Sequence, residues 1–305
     1  VQMPPQHGKS EGSSRKLPAF MLGLNPDTKI CIGSYAATIA RDFNRDVQRI
    51  IDTPKYREIF PKTFLNGSNV VTMANTYLRN SDVIEMVGHK GSLRVVGRGG
   101  ALTSKTVDVM IMDDVYKDYS EGNSPIVRNA AWKWYTTVVK KRLHNKSQEL
   151  IVFTRWHEED LIGKIEKGGE KIIDIKSWDS IKNIPDGAWV RINFEALKTG
   201  EPNEIDPREP GAALWESMHS RAKLERERAL DPIQFQCLDQ GNPGSAEGRL
   251  YRNPFRTYVD KSEWGTFVRS GNYTDVADEG DDFTFSACYD AVSYTHLTLP
   301  TTPYV

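Results

Sequence analysis

"TVDVMIMDD", residues 106–114, is an apolar run that ends in two adjacent aspartates. A short continuous run of this kind is typical of a buried strand. Strands buried on both faces occur in parallel sheets that are covered by helices. The stretch therefore predicts a strand inside an α/β domain, with Asp113 and Asp114 at its carboxyl end.

The sequence around this strand alternates between further predicted strands and helices. Strands are indicated at 29–35 ("KICIGSY"), 69–74, 82–88, 92–97 and 148–154 ("QELIVFT"). Helices are indicated at 36–51, from Pro125 to about Leu143, at 158–167 and at about 216–230. This alternation predicts an α/β fold with a parallel-rich central sheet.

A second motif, "QMPPQHGKSE" (2–11), contains Gly8-Lys9-Ser10, the end of a phosphate-binding loop. In such loops backbone N–H groups face phosphate oxygens, lysine reaches the β- and γ-phosphates, and the hydroxyl binds Mg²⁺. Met3 stands where the loop usually opens with glycine, so a polar turn without a ligand is the alternative. Because only three residues precede the loop, we expect that the strand in front of it, and the N-terminus, are missing.

The order of the two motifs favours a nucleotide site. Asp113 can lie opposite the loop and bind Mg²⁺ or a metal-bound water. Asp114 can polarise the attacking water, because a general base acts within hydrogen-bond or one-water reach of the proton that it takes. Two aspartates that cap the next turn are the alternative interpretation.

The stretch "FTRWHEEDL" (153–161) follows the next buried strand. Thr154 at the strand tip can contact the γ-phosphate or its water, and Arg155 can stabilise charge that develops there. The acids at 158–160 suit the N-terminal end of a helix better than a metal site, because no second histidine lies at ligand spacing.

Composition and charge narrow the function classes. No stretch reaches the ~18 apolar residues of a membrane helix, and the three cysteines are scattered, as is typical of a reducing cytosol. Residues 1–200 carry 30 Lys/Arg against 23 Asp/Glu, whereas residues 201–305 carry 10 against 18. The first part favours a polyanion as partner, and ordinary variation between solvated surfaces is the alternative. Arg41, Arg45 and Arg49 likewise either contact DNA or form a solvated helix face.

Together these motifs resemble a known family. "PPQHGKS" (4–10), "GRGGALTSKTVDVMIMDD" (97–114) and "TRWHEEDLIG" (154–163) are similar to segments of the ATPase domain of tailed-bacteriophage large terminase subunits. "PGAALWESMHS" and "PIQFQCLDQGNPGSAEGRLY" resemble the segment leading into that family's nuclease domain, and "NYTDVADEGDDFTF" resembles its first nuclease strand. The resemblance covers about residues 1–292.

The resemblance implies an ASCE-type P-loop ATPase followed by the start of an RNase H-like α/β nuclease domain. It implies that ATP and Mg²⁺ are cofactors. The implied nucleotide-binding residues are Gln6, His7, Gly8, Lys9, Ser10 and Asp113, with Ser10 and Asp113 at the metal. Asp113 is then the Walker B acid, Asp114 the catalytic carboxylate and Thr154 the coupling residue.

Asp275 matches the first nuclease aspartate, a catalytic ligand for Mg²⁺ or Mn²⁺. The acids around Asp282 are either part of that site or an acidic hairpin turn. A two-metal nuclease needs several carboxylates, so we expect that residues 1–305 alone do not cut DNA. The family often has arginine at the position of Gln6. This departure puts in doubt whether the same chain supplies a positively charged side chain to the phosphates.

The resemblance also implies partners and a location. These are double-stranded viral DNA, the small terminase subunit, the portal ring of the procapsid and further copies in a homo-oligomeric ring, with no membrane. The expected location is the cytoplasm of the bacterial host and, transiently, the procapsid portal, but not the mature virion. A different P-loop DNA translocase or helicase, or an inactive scaffold fragment of the packaging complex, are the alternatives.

Four segments are expected along the chain. They are the ATPase domain (1–198), a linker or subdomain (199–265), the start of the nuclease domain (266–292) and a tail (293–305). The tail, "SYTHLTLPTTPYV", resembles translated sequencing-adaptor sequence. A genuine threonine-rich tail is the alternative.

Overall fold

The computed structural model describes residues 1–71, 76–102 and 106–244, together with the backbone of 273–276 and 284–287. Internal contacts divide the chain into two units, Val1–Gly248 and Arg249–Val305. Among the helices of the described ranges, none is both long and apolar enough to cross a membrane.

Five strands form the central sheet of the first unit. They are β1 (Lys29–Ser34), β2 (Val83–Glu85), β3 (Ser92–Gly97), β4 (Val107–Asp113) and β5 (Leu143–Val152). Their spatial order is β2-β3-β1-β4-β5, and every neighbouring pair is parallel except β2 with β3. The predicted α/β fold with a parallel-rich central sheet is therefore confirmed. Two more strands, β6 (Ile172–Asp174) and β7 (Trp189–Arg191), pair in parallel as a separate sheet.

Helices accompany these strands. They are α1 (Leu17–Leu24), α2 (Ala37–Ile51), α3 (Pro54–Ile59), α4 (Tyr119–Asn123), α5 (Pro125–Trp134), α6 (Leu161–Lys167), α7 (Arg221–Leu230) and α8 (Pro232–Gln234). π-Helical turns precede α1 (Glu11–Lys16) and follow α5 (Tyr135–Val139) and α8 (Phe235–Asp239), and 3₁₀ turns lie at Lys140–Arg142 and Trp178–Asn183.

The side chains of β4 alternate between two apolar layers. Val109 and Ile111 belong to the layer that includes the apolar face of α2, whereas Met110 and Met112 belong to the layer that includes Trp134 of α5. Successive side chains of a strand point to opposite faces. A strand with helices on both faces has no solvent side, which is why this stretch is apolar at nearly every position.

The strand register brings the predicted site residues to one edge of the sheet. Asp113 of β4 pairs with Val152 of β5, and Met112 pairs with Gly33 of β1. Because these strands are parallel, Asp114 and Thr154 both follow carboxyl ends at this edge, where open α/β sheets bind ligands.

The residues in front of the phosphate loop occupy a strand position. Gln2 forms parallel bridges with Phe153 on one side and Asn193 on the other. The amino group of Val1 donates to the carbonyl oxygen of Ile151 (2.7 Å). The strand that carries Thr154 therefore lies between the start of the loop and β4.

The helix predicted at 36–51 is present as α2, and Phe43 and Val47 on its apolar face are buried. Its three arginines each pair with an aspartate: Arg41 with Asp82, Arg45 with Asp42 and Arg49 with Asp46. The structure thus favours the solvated, ion-paired interpretation of this face.

Several predicted boundaries differ from the structure. The helix predicted from 158 begins at Leu161, because Asp160 is its N-cap and accepts from the backbone N–H of Gly163 (3.0 Å). The helix predicted from about 216 begins at Arg221, after the N-cap Ser220. Within 69–74, Val70 forms only an isolated bridge with Arg79, and 72–75 lie outside the described residues.

Residues beyond 195 pack into a small apolar cluster of their own. Its buried members are Ala196, Leu197, Ala213, Leu224 and Phe235. The connection at 199–211, within the segment expected to be a linker or subdomain, contains no helix or strand. It is nevertheless fixed in place, because Arg208 donates to Asp206 (2.8 Å) and to the carbonyl oxygen of Glu195 (2.9 Å).

In the second unit two strands are described. β8 (Tyr273–Val276) and β9 (Thr284–Ala287) pair antiparallel, with Asp275 opposite Phe285. Asp275 thus lies within a strand. Asp282 and the tail at 293–305 lie outside the described residues.

Candidate functional site

The phosphate loop turns through two residues in the left-handed region. Gln6 has φ +60° and Gly8 has φ +82°. Glycine adopts this conformation readily, whereas glutamine does so at a cost. After the turn, the backbone N–H groups of Glu11 and Gly12 donate to the carbonyl oxygen of Gly8 (3.1 and 3.3 Å). A helical segment that continues into α1 therefore starts at Lys9 and Ser10, directly after Gly8.

The Asp113 carboxylate accepts hydrogen bonds from two hydroxyl groups of this helical segment. Ser10 Oγ donates to Asp113 Oδ1 (3.0 Å), and Ser14 Oγ donates to Asp113 Oδ2. The Asp113 side chain is almost completely buried, with 1% exposure. Ser14 was not predicted from the sequence; its signal is its spacing of one helical turn from Ser10.

The pKa of the Asp113 carboxyl is raised to about 6, chiefly by burial and secondly by the neighbouring charge of Asp114. The hydrogen bonds from Ser14 and Ser10 and the charge of Lys9 act in the opposite direction. A buried carboxylate next to a second carboxylate lacks compensating charge. Asp113 is thus a position where a cation would be stabilised.

Lys9 joins the loop to both strand ends. Its Nζ lies 2.9 Å from Asp114 Oδ2 and also donates to Thr154 Oγ1. The backbone N–H of Thr154 in turn donates to Asp114 Oδ1 (3.1 Å). The structure thus brings together Lys9, Asp114 and Thr154, three residues from three separate segments of sequence.

The backbone of Asp114 is held by both neighbouring strands. Its N–H donates to Val152 of β5 (3.1 Å), and its carbonyl oxygen accepts from the N–H of Tyr35 (2.9 Å), just after β1. Its φ is +41°, which is uncommon for a residue other than glycine. A strained conformation fixed by its surroundings is a common feature of functional sites.

The oxygen atoms of Ser10 and Asp113 fit a magnesium ion. Mg²⁺ prefers oxygen ligands and is often held by one or two carboxylates together with substrate phosphates. The uncompensated charge of Asp113 matches that chemistry. Within the described residues no group of three or more His, Cys, Asp or Glu side chains can hold a metal ion, so these two residues need phosphate oxygens or water to complete a coordination shell.

Arg155 is not available for the role considered from the sequence. Its Nε donates to both carboxylate oxygens of Asp160 (3.1 and 2.8 Å). Both side chains are buried, with exposures of 4% and 0%. Asp160 also accepts from the backbone N–H groups of Trp156 and Gly163 (3.2 and 3.0 Å). The sequence interpretation of Arg155 as a stabiliser of phosphate charge is therefore corrected: the guanidinium belongs to a closed internal ion pair.

The other predicted residues lie as follows. Gln6 and His7 are part of the loop, and the His7 ring stacks on His219 (centroids 4.3 Å apart), a contact that sequence spacing does not reveal. Asp275 lies on β8, and its side chain is outside the described part of the structure.

Comparisons with known proteins were made for the whole chain. A sequence model of the family described as "Terminase large subunit, T4likevirus-type, N-terminal" matches residues 2–252. Among solved structures, the chain is similar to the large terminase ATPase domain of Thermus phage P74-26, with 17% sequence identity and a TM-score of 0.42, over 79% of this chain and 85% of that chain. A search of curated proteins found no match.

Proposed function

This chain belongs to the T4-like-virus type of terminase large subunit, and from that premise we propose that its phosphate loop and the ends of β4 and β5 form an ATP-hydrolysing site that drives DNA packaging. The observation that carries the proposal is the convergence of five side chains. Lys9 contacts Asp114 and Thr154, while Ser10 contacts Asp113. These are the residues that triphosphate binding and hydrolysis require.

Each residue has a distinct role in this proposal. Lys9, now shared between Asp114 and Thr154, has a long flexible side chain that reaches a β- or γ-phosphate oxygen. Backbone N–H groups at the start of the helical segment after Gly8 bind further phosphate oxygens. Mg²⁺, held by Ser10 and Asp113, neutralises phosphate charge when it is bound.

Asp114 acts as the general base in this scheme. Its side chain is 30% exposed, so water reaches it, while the Thr154 N–H fixes one carboxylate oxygen. A positioned base of this kind contributes roughly 10²–10⁴-fold to a rate. Thr154 lies between Lys9 and Asp114, and we assign it the coupling of phosphate loss to movement.

Family membership supports the wider proposal of a motor. Hydrolysis moves double-stranded viral DNA into a procapsid, and the motor works as a homo-oligomeric ring on the portal, together with the small subunit, in the cytoplasm of the bacterial host. When a whole nuclease domain is present, we propose that concatemeric DNA is cut with Asp275 as a ligand of Mg²⁺ or Mn²⁺. Replacement of Asp275 by alanine then abolishes cutting and spares ATP hydrolysis.

The ATPase proposal is tested by steady-state hydrolysis of Mg²⁺-ATP. We expect Lys9→Ala to remove activity, because a phosphate contact is lost, and Asp114→Asn to keep ATP binding while turnover falls ~10²-fold or more. Lys16→Ala is the matched control, since Lys16 follows the same loop but is exposed and pairs with Glu11. Full turnover in Asp114→Asn would contradict the role of Asp114, and full turnover in Lys9→Ala would contradict the site.

A further inference from the structure

A histidine far along the chain contacts the phosphate loop. His219 precedes α7, and its Nε2 lies 3.3 Å from the carbonyl oxygen of Gln6. Its ring also stacks on His7, with an interplanar angle of 25°. One imidazole therefore contacts two successive residues of the loop, directly before Gly8 and Lys9.

The hydrogen bonds of His219 define its tautomer. Lys223 Nζ lies 3.1 Å from His219 Nδ1. Because an ammonium group only donates, Nδ1 accepts and carries no proton. The proton of the neutral ring is therefore on Nε2, which donates to the Gln6 carbonyl oxygen. The two contacts of this ring are thus compatible with each other.

His7 completes the contact as a buried neutral ring. Its Nδ1 lies 2.7 Å from the carbonyl oxygen of Pro5 and donates to it. Burial lowers the pKa of His7; the bond to Pro5 opposes this effect, and the charges of Lys223 and Arg208 add to it. The uncharged ring stacks on His219 without electrostatic repulsion.

The backbone of His219 is anchored by a hydrogen bond and by the start of α7. The backbone N–H of His219 donates to the carbonyl oxygen of Trp215 (2.7 Å). Ser220, the next residue, caps α7, and Leu224 on that helix is buried in the apolar cluster beyond residue 195. The imidazole is therefore held by packed structure, which is a requirement for positioning another group.

We propose that His219 is a positioning residue for the phosphate loop, which it holds ready for ATP. Gln6 lies in a left-handed conformation that a free loop would leave, because the conformation is costly for glutamine. The bond from His219 to its carbonyl oxygen keeps that conformation, so less order is lost when ATP binds. The inference rests on the ATP site proposed above and adds a link between that site and the packed cluster that carries α7.

The test is steady-state ATP hydrolysis by the full chain with three variants. His219→Phe keeps a stacking ring and loses the donor, whereas His219→Gln keeps an N–H donor near the position of Nε2. His219→Ala loses both. We expect His219→Phe and His219→Ala to raise the KM for Mg²⁺-ATP about fivefold to tenfold, the scale of one hydrogen bond, with kcat within twofold. His219→Gln should restore a KM near that of the parent.

Two controls separate the possible outcomes. His89→Ala removes a histidine from the pair with Asp27 on another part of the unit, and it should leave KM unchanged.

A purely structural role of His219 predicts a lower unfolding temperature with an unchanged KM, and this result would overturn the inference. If Lys9→Ala is inactive while all three His219 variants keep the parental KM, positioning by His219 is wrong and the ATP site stands. If Lys9→Ala keeps full activity, the ATP site itself is wrong.

Discussion

Two neighbouring strand ends each place an aspartate beside a cation, and the two ion pairs differ in access and in charge balance. After β4, Asp114 pairs with Lys9, and the Asp114 side chain is 30% exposed. After β5, Arg155 pairs with Asp160 in a region closed to solvent. The pair after β5 is balanced, because the Asp160 carboxylate accepts from the Arg155 guanidinium and from backbone N–H groups. Glu166, 4.0 Å from the same guanidinium, is compensated by Arg191.

The pair after β4 is not balanced. Asp113 adds a second carboxylate beside Asp114, and Lys9 is the single cation that contacts either of them within the described residues. An unpaired carboxylate charge at a partly exposed site lowers the stability of the folded protein unless a ligand compensates it. A buried and neutral ion pair has a structural role and does not need a ligand. The difference separates a candidate ligand site from a structural pair that has similar residue types.

The largest expected effect comes from the closed pair. Asp160→Asn keeps the size of the side chain but removes the close opposite charge of the buried Arg155 guanidinium. Glu166, 4.0 Å from that guanidinium, is itself paired with Arg191. Breaking a buried pair in this way costs ~3–5 kcal/mol of unfolding free energy. Chemical denaturation monitored by circular dichroism measures the loss.

An exposed pair is the matched control for this experiment. Asp82→Asn removes the partner of Arg41, at a site where both side chains are more than one third exposed. Such pairs contribute about 0–1 kcal/mol. If Asp160→Asn costs no more than Asp82→Asn, the distinction between the two strand ends is wrong.

An intermediate effect of opposite sign is expected at Asp113. Its folded pKa of about 6 lies above the ordinary value of 3.8, so the carboxylate destabilises the folded state increasingly from pH 3.8 to 6 and fully above pH 6. Asp113→Asn should therefore raise the unfolding free energy at pH 7.5 by ~1–3 kcal/mol and at the same time remove ATP hydrolysis.

The pH dependence checks this explanation. The stability gain of Asp113→Asn should shrink as the pH falls from about 6 toward 3.8, because the parent carboxyl is protonated there and no longer carries a buried charge. Thermal unfolding of both proteins across this range measures the difference. A variant that is less stable than the parent at pH 7.5 would show that the surplus charge does not cost stability.

The smallest effect on the fold is expected at Thr154, which lies between the two pairs. Thr154→Ala removes the hydroxyl that accepts from Lys9 but keeps the backbone N–H that donates to Asp114. ATP binding should stay within about twofold and stability within ~1 kcal/mol, while stimulation of hydrolysis by DNA falls. Thr137→Ala, at an exposed helix position, is the control. Equal stimulation in Thr154→Ala and the parent would contradict the coupling role.

Much of the fold followed from local pattern. The apolar run at 106–114 and its alternation with neighbouring elements predicted a parallel-rich sheet, because burial on both faces leaves no polar position. Helix starts were predicted less well. At 158–160 the acids suggested an early start, but Asp160 caps the helix and holds Arg155, a contact whose energy depends on burial.

The candidate site was predictable in its residues and not in its contacts. Each residue of the candidate site lies in a loop or at a strand end that apolar runs, glycine and polar residues in the sequence predict. These residues are Lys9, Ser10, Asp113, Asp114 and Thr154. Such local positions can be predicted from the sequence, because the patterns that indicate strands and turns involve residues close to one another in the chain.

Only the tertiary structure decided which charges meet. The contact of Lys9 with Thr154 joins positions 145 apart, and that of His219 with Gln6 joins positions 213 apart. Arg155 and Lys9 are both cations beside predicted site residues, yet one is enclosed with Asp160 and the other contacts Asp114. Which charged side chains pair depends on the order of strands in the sheet and on the exclusion of solvent around each pair. The spacing of residues along the chain predicts neither of these.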